Sequence, residues 1–440
     1  MTTNQKKIFY FSIMAFLLIY VGIIQSWNVS LAILNMCIIS AIMTIGVNIQ
    51  WGYAGLFNAG IMGFTIIGGL ATVLISIPPV KETWSLGGER IFFGFLILIF
   101  TIFSSIFIWK KTKKFKSLGY FLTFLTIILG YIAIRIVTGD AISKIEGFEP
   151  SKSGFLGGLG LPILFSWIVG GFLAAGIAWI IGKITLGLKS DYLAIATLGI
   201  AGIILYIVKN EEWLTRGVKN VNRIPRPVPY EIELQSALWF QNLTEKFSLP
   251  IKEASSIFVK CCYAGLFLTV LLIILWLSQK ALNSPWGRMM RAIRDNEDTA
   301  KAMGKNIKKQ HLQVFILGSA VLGVAGAMMT TLEGQFVTGS YTPLRYTFVI
   351  WVMVIVGGSG NNFGSIIGGF FIWFFWVQSE PLGLWIIDLI IIFIPEENKI
   401  ISHLQENVSH MRFMTMGAIL LLVLRYSPKG LIPEEKLQKN

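Results

Sequence analysis

The chain has 440 residues, 54% hydrophobic and only 14% charged, with 37 Lys and Arg against 23 Asp and Glu for a net charge of +14. That composition excludes a soluble enzyme, a disordered chain and a fibre, and places the protein in the membrane class. Its apolar runs reach about 18 residues or more, enough for an α-helix to cross a bilayer core of roughly 30 Å, and this excludes a barrel of alternating strands.

Lys6 and Lys7 precede an apolar run from Ile8 to Ile24, and Gln25-Ser26-Trp27-Asn28 offers no small-x-small cleavage pattern, so this run reads as an uncleaved first helix. Further runs predict spans near 29–48, 60–78, 91–109, 118–137, 160–182, 192–208, 257–278, 312–331, 344–358, 363–378 and 412–425. The fold class is therefore all-α, a polytopic protein of about 10–12 spans. A shorter run, Leu382 to Ile394, carries Asp388 and reads as interfacial or re-entrant.

Loops on the cytoplasmic side of membrane proteins collect Lys and Arg. The run Lys110 to Lys116 and the stretch Lys280 to Lys309 mark that side, while 138–154 and 209–256 mix signs and fall on the other. Both termini are then cytoplasmic, and the positive balance needs no nucleic-acid partner. Segment 209–256, with Trp213, Pro225, Pro227 and Pro229, is large enough to form a cap facing an external partner. Cys37, Cys261 and Cys262 encode no disulfide framework. His311, His403 and His410 have no ligand-spaced neighbours, so no metal site is expected.

Two places interrupt the apolar pattern with glycine, one in each half: Trp51 to Gly60 and Gly357 to Gly364. Broken helices in corresponding positions point to a substrate path between repeats, although glycine also serves close packing of spans. Gly52, Tyr53, Gly55, Asn58, Gly60, Thr197, Gly357, Gly358 and Gly360 are the candidate path residues. Among ionisable residues near spans, Arg135, Lys260 and Glu333 lie close to predicted helix ends, where long side chains reach the interface, and Asp388 is less easily placed.

Ser284 to Gly304 predicts an amphipathic helix with Arg291–Asp295 and Arg294–Asp298 as i,i+4 pairs and Gly304 as its stop. Its S-P-W-G-R-x-x-R-A-I-R-D-N-E wording, followed by Asp298-Thr299-Ala300-x-x-x-Gly304, resembles the coupling loop of the permease family of branched-chain amino-acid ABC importers. Asp191 to Gly199 with Ile224-Pro225-Arg226-Pro227, Gly52 to Leu56, Val356 to Gly360 and Ser427 to Leu431 are similar to other stretches of that family. Together they cover about residues 29 to 431 and resemble its M-type (LivM-like) subunit most. The pattern departs at Gly202, Leu205, Asn58, Ile61 and Ser365, and 80–157 is longer than the family's proportions, reading as an extra hairpin.

The resemblance implies one transmembrane permease domain over 1–440 in the bacterial inner membrane, with 279–311 as the cytoplasmic coupling loop. It implies a second homologous permease subunit, two cytoplasmic ABC ATPases and a periplasmic solute-binding protein as partners. Arg288, Arg291, Arg294, Asp298, Thr299, Ala300 and Gly304 would then meet the ATPase. The chain has no G-x-x-x-x-G-K-[ST], so it has no nucleotide cofactor of its own, and the partner ATPase would bind ATP and magnesium. The implied cargo is a branched-chain or similar neutral amino acid, with urea or a short amide as the alternative within the family. An ion-coupled transporter or channel is the alternative of another class.

Overall fold

The computed structural model describes residues 3–112, 115–149, 153–391 and 399–434. Lys113 and Lys114 of the basic run and Ile392 to Ile394 of the short apolar run lie outside them. The first half contains α1 (Thr3–Ile24), α2 (Trp27–Ala54), α3 (Ile61–Ser76), α4 (Lys81–Lys111), α5 (Lys116–Gly147), α6 (Ile163–Thr185) and α7 (Ser190–Asn210). A connecting region follows, with α8 (Glu212–Thr215), β1 (Val221–Asn222), α9 (Glu231–Ser236) and α10 (Leu238–Lys246). The second half contains α11 (Ile251–Asn283), α12 (Pro285–Asp295), α13 (Glu297–Ala302), α14 (Ile307–Glu333), β2 (Gln335–Phe336), α15 (Val349–Gly357), α16 (Asn362–Ile391), α17 (Lys399–Glu406) and α18 (Met411–Tyr426).

Among the described residues, ten helices are long and apolar enough to cross a membrane, and the protein is a multi-pass membrane protein. Two further apolar helices, Ile61–Ser76 and Leu344–Gly357, are shorter, and each borders one of the glycine interruptions. Successive helices alternate in direction, so α12, α13 and the segment after α18 share one end of the bundle. The other end carries β1 paired antiparallel with β2, Val221 opposite Phe336.

The centre is built from α2, α3, α6, α14 and α16, and its closest contacts are backbone on backbone. A Cβ on Gly68 or Gly170 would meet the Gly323 carbonyl, one on Gly326 would meet Thr65, and Gly46 faces Gly318. Apolar attraction between helices is weak in lipid, so small residues that admit such approach hold spans together by dispersion and packing. By contrast α4 and α5 pack on each other, Gly87 on Ala141 and Gly94 on Thr138. Most of their outward side chains, such as Phe100, Phe103 and Phe121, are exposed. The hairpin meets the bundle through its β end, where Trp84 Nε1 donates to the Leu156 carbonyl at 3.0 Å.

Three expectations are corrected. Residues 285–304 form two helices and not one: Asn296 adopts an extended φ of −156° and its side chain accepts the Thr299 N–H, capping α13. The run starting at Leu382 is no separate segment, because α16 continues through Pro381 to Ile391 and carries Asp388 about 39 Å along its axis from Asn362, past the hydrocarbon thickness. Arg135 and Lys260 do not sit at helix ends, since α5 and α11 extend beyond the apolar runs. Arg135 lies about 7.5 Å along α5 from Asp140, which pairs with Arg90 at 3.8 Å. Lys260 Nζ donates to the Asn28 carbonyl and Oδ1, both at 3.1 Å.

Candidate functional site

The first glycine interruption begins where α2 stops. Gly55 takes the left-handed φ of 68° and its N–H closes on the Trp51 carbonyl at 2.8 Å, the ordinary glycine ending of a helix. Residues 56 to 60 then run to α3 without α-helical N–H bonds, so their polar backbone needs other partners. Asn58 supplies several of them: Oδ1 accepts from Gly60 N at 2.8 Å, Nδ2 donates to Gln50 Oε1 at 2.8 Å, and its carbonyl accepts from Trp351 Nε1 at 3.1 Å. Gln50 Nε2 in turn donates to the Phe315 carbonyl and to Ser319 Oγ, each at 3.0 Å. From α7, Thr197 Oγ1 accepts the Ala59 N–H at 3.1 Å, and the Thr197 carbonyl leaves no room for a Cβ on Gly60. Asn58 and Gln50 are fully buried, and their polarity is absorbed in holding the linker.

The second interruption follows α15. Gly358 and Gly360 have φ of 109° and 83°, values that L side chains rarely adopt. Asn361 Oδ1 starts α16 by accepting from Phe363 N at 3.0 Å and Gly364 N at 3.3 Å. The segment after α18 lies across this turn like an added strand. Leu431 N donates to the Val356 carbonyl at 2.8 Å, Ile432 N to the Gly357 carbonyl at 3.0 Å, and Asn361 Nδ2 to the Pro433 carbonyl at 3.1 Å.

The two interruptions meet. Asn48 of α2 accepts the Gly360 N–H at 2.8 Å and donates to Asn362 Oδ1 at 3.1 Å; the Tyr53 hydroxyl donates to the same oxygen. A Cβ on Gly52 would collide with Gly360 N. Asn362 Nδ2 reaches Gln279 of α11 at 3.0 Å, so the helix leading into α12 belongs to the same network.

Onto this joint docks α12. Ser284 caps it, Pro285 occupies its first turn, and Gly287, Met290 and Ile293 form its buried face. Arg294 crosses Gly55, with its Cγ 3.2 Å from where a Cβ would be, and Nη1 donates to the Gly52 carbonyl. Its Nη2 pairs with Glu434 at 2.9 Å and its Nε with exposed Asp295 at 3.2 Å. The predicted Arg291–Asp295 and Arg294–Asp298 pairs are therefore replaced: Arg291 donates to the Leu282 carbonyl at 3.3 Å, and Asp298 sits in the first turn of a different helix. The physical reason is the cap at Asn296, which ends α12 and turns Asp298 away. Arg288 donates to the Asn283 carbonyl at 3.2 Å, Ala300 is buried, and Gly304 turns at φ 77° with open space around it.

Two cavities flank Arg294. One of about 260 Å³ lies between α12 and the first interruption, lined by Gly55, Phe57, Lys189 and His311 among others. A wider one of about 940 Å³ is bordered by Arg288, Arg291, Ser359, Lys429 and Glu434. The structure thus joins the glycine residues, Thr197 and the arginines of α12 into one assembly, while Asp298, Thr299 and Gly304 stand outward beside it. Asn48, Gln50, Asn362 and Glu434 escaped the sequence reading. Polar residues inside an otherwise apolar span were the available signal for Asn48 and Gln50.

Comparison with known proteins identifies the family of the chain. The family model described as branched-chain amino acid transport system / permease component matches residues 29–395. A probable branched-chain amino acid transport permease protein LivM of Methanocaldococcus jannaschii is 29% identical over 176 residues, 40% of this chain and 47% of that protein. The high-affinity branched-chain amino acid transport system permease protein LivM of Escherichia coli is 23% identical over 276 residues, 61% of this chain and 57% of that protein. The namesake from Salmonella typhimurium is also 23% identical, over 61% of this chain and 57% of that protein. The chain thus spans about half the length of the curated relatives it matches, and no solved structure matches it. By the extent of the family match, the chain belongs to the permease-component family of branched-chain amino acid transport systems.

Proposed function

We propose that this chain is a permease subunit of an ATP-driven importer, carrying branched-chain or similar neutral amino acids inward across the plasma membrane. In this reading the α12 end faces the cytoplasm, where two ABC ATPases, binding ATP and magnesium, grip α12 and α13. A second homologous permease completes the translocation path, and the connecting region with β1 receives a solute-binding protein on the outside. The clustering of Lys110, Lys111, Lys189, Lys280, Arg288, Arg291, Lys305, Lys308 and Lys309 at the α12 end supports that orientation.

The observation that carries the reading is Arg294, which ties the surface helix α12 to the Gly52 carbonyl of the first interruption and, through Glu434, to the segment strapped over the second. A partner pulling α12 pulls on both broken helices at once. Glycine joints supply the compliance and the buried amides around Asn48 supply the register. The path residues, in this view, act by letting α3 and α15 swing relative to α2 and α16.

Uptake of radiolabelled leucine and urea by proteoliposomes holding the reconstituted complex, with ATP inside and binding protein outside, tests this directly. ATP-dependent uptake lost in Gly304→Asp is the expected result. Uptake indifferent to ATP and to that substitution would overturn the importer reading.

A further inference from the structure

Away from the joint, the chain enters α15 through Leu344–Phe348, wound as a π-helix. Such widened turns are rare and concentrate at functional sites, because they displace side chains from regular positions. Here the turn holds Arg345 about 18 Å along the helix axis from Gly357, while Trp373 stands about 16 Å along α16 from Asn362. Trp373 is then near the middle of a core of roughly 30 Å and Arg345 further out, towards Glu333 at the end of α14, where an ionisable side chain inside a span marks a ligand path by default.

Arg345 Nη2 lies 4.0 Å from Glu333 Oε1, and its guanidinium sits over the rings of Tyr346 and Trp373 with centroids at 5.3 and 5.6 Å. The two charges face one another at the outer limit of an ion pair, without a tight bond. Their side chains stay 31% and 28% exposed, so they remain reachable. Arg345 Nε and Trp373 Nε1, by contrast, are buried donors without an acceptor. Both residues border a pocket of about 10 Å³, room for one water, whose wall includes Met36, Met43, Met329, Met353 and Ser40.

We infer that Arg345 and Glu333 are the recognition pair for a zwitterionic amino acid, an inference that rests on the importer reading. The substrate carboxylate takes Arg345 through the guanidinium edge that includes Nε, with the Trp373 indole N–H as a further donor. Its ammonium takes Glu333. The loose pair is exchanged for two closer ones and no charge is left unmatched, which a neutral amide cannot do. The apolar side chain enters among the methionines, whose unbranched thioethers repack around differing shapes. The small pocket is the closed form of this site, and swinging of α15 about Gly357–Gly358 opens it.

The test uses a diazirine analogue of leucine, illuminated during ATP-driven turnover of the reconstituted complex, with labelled peptides located by mass spectrometry. Labelling within 36–43, 329–333, 345–353 or at Trp373 is the expected result. Arg345→Gln should abolish that labelling and lower leucine uptake at least about tenfold, as loss of a charge-assisted contact implies. Trp373→Phe, which keeps a ring in place, should lower both severalfold and decides the matter if Arg345→Gln fails to assemble. Leucine uptake with labelling confined to other segments, or unchanged uptake in either variant, overturns the site alone. Failure of the wild-type complex to take up leucine with ATP overturns the importer reading and the site with it.

Discussion

Arg294 and Glu434 form an ion pair of 2.9 Å although 140 residues separate them in the chain. The same guanidinium donates to the Gly52 carbonyl. Three parts of the molecule are thereby pinned at one planar group: the surface helix, the first broken helix and the strap over the second.

On the proposed function, Arg294→Ala should uncouple uptake from ATP hydrolysis. The pair is partly shielded and worth about 1–2 kcal/mol, between exposed and buried cases, so folding survives while force transmission does not. We expect uptake to fall at least about tenfold while ATP hydrolysis by the complex continues, both measured in proteoliposomes. Arg294→Lys should rescue little, because a point charge cannot serve two acceptors in a fixed fork. Uptake at the wild-type rate in Arg294→Ala would remove this residue from the mechanism.

The glycines of the joint should respond to conformation more than to size. Gly55 is left-handed with only the Arg294 stem nearby, so Gly55→Asn should retain most uptake and Gly55→Val should lose it. Gly358 is stricter, since its φ of 109° is unsuited to L residues and the Ile432 carbonyl fills the space beside it. Gly358→Val should block uptake in an assembled complex and loosen the segment after Tyr426, read as faster proteolysis there. Normal uptake in both valine variants would refute the role given to the joints.

Gly68 makes the opposite kind of contact. Its position against the Gly323 backbone is central packing, so Gly68→Val should cost about 1–3 kcal/mol of overpacking strain and lower the melting temperature of the purified chain in detergent. Gly304, open on all sides but left-handed at φ 77°, should tolerate Asn or Asp with little thermal loss while failing in transport. Equal melting losses for the two would blur the distinction between packing and coupling glycines.

Asn296→Ala removes the cap that separates α12 from α13, at a cost of about 1 kcal/mol. The two helices should then merge by one turn and Asp298 should approach Arg294. Reduced uptake with a weakened hold on the ATPases, measured by co-purification, is the expected outcome; unchanged coupling would mean that the bend carries no information for the partner.

Much of this architecture was legible because its elements repeat one strong physical signal. An apolar run such as Ile163 to Ile181 has no alternative to a spanning helix, and the glycine clusters around 55 and 358–360 mark backbone that cannot stay regular. The Arg294 partners were not legible, because Gly52 and Glu434 are local in space and remote in sequence. Local spacing instead offered Asp298, which the Asn296 cap turns away. Arg345 is not legible as a site residue for a related reason: it stands one residue inside a predicted span, where a long side chain ordinarily reaches outward. The π-turn and the position of Trp373, which turn it inward, belong to the tertiary structure.

The backbone contacts of α14 carry a consequence for how movement travels. Where two spans meet through side chains, a small displacement can be taken up by a change of rotamer. Gly318 against Gly46, Gly323 against Gly68 and Gly170, and Gly326 against Thr65 leave no such slack. On the proposed coupling, a tilt delivered through α13 to the start of α14 is not dissipated on the way: α3 and α6 turn with α14 as one stiff body, against α2 at the Gly46–Gly318 contact. The glycines that bend and the glycines that touch thus divide the labour between hinge and fulcrum.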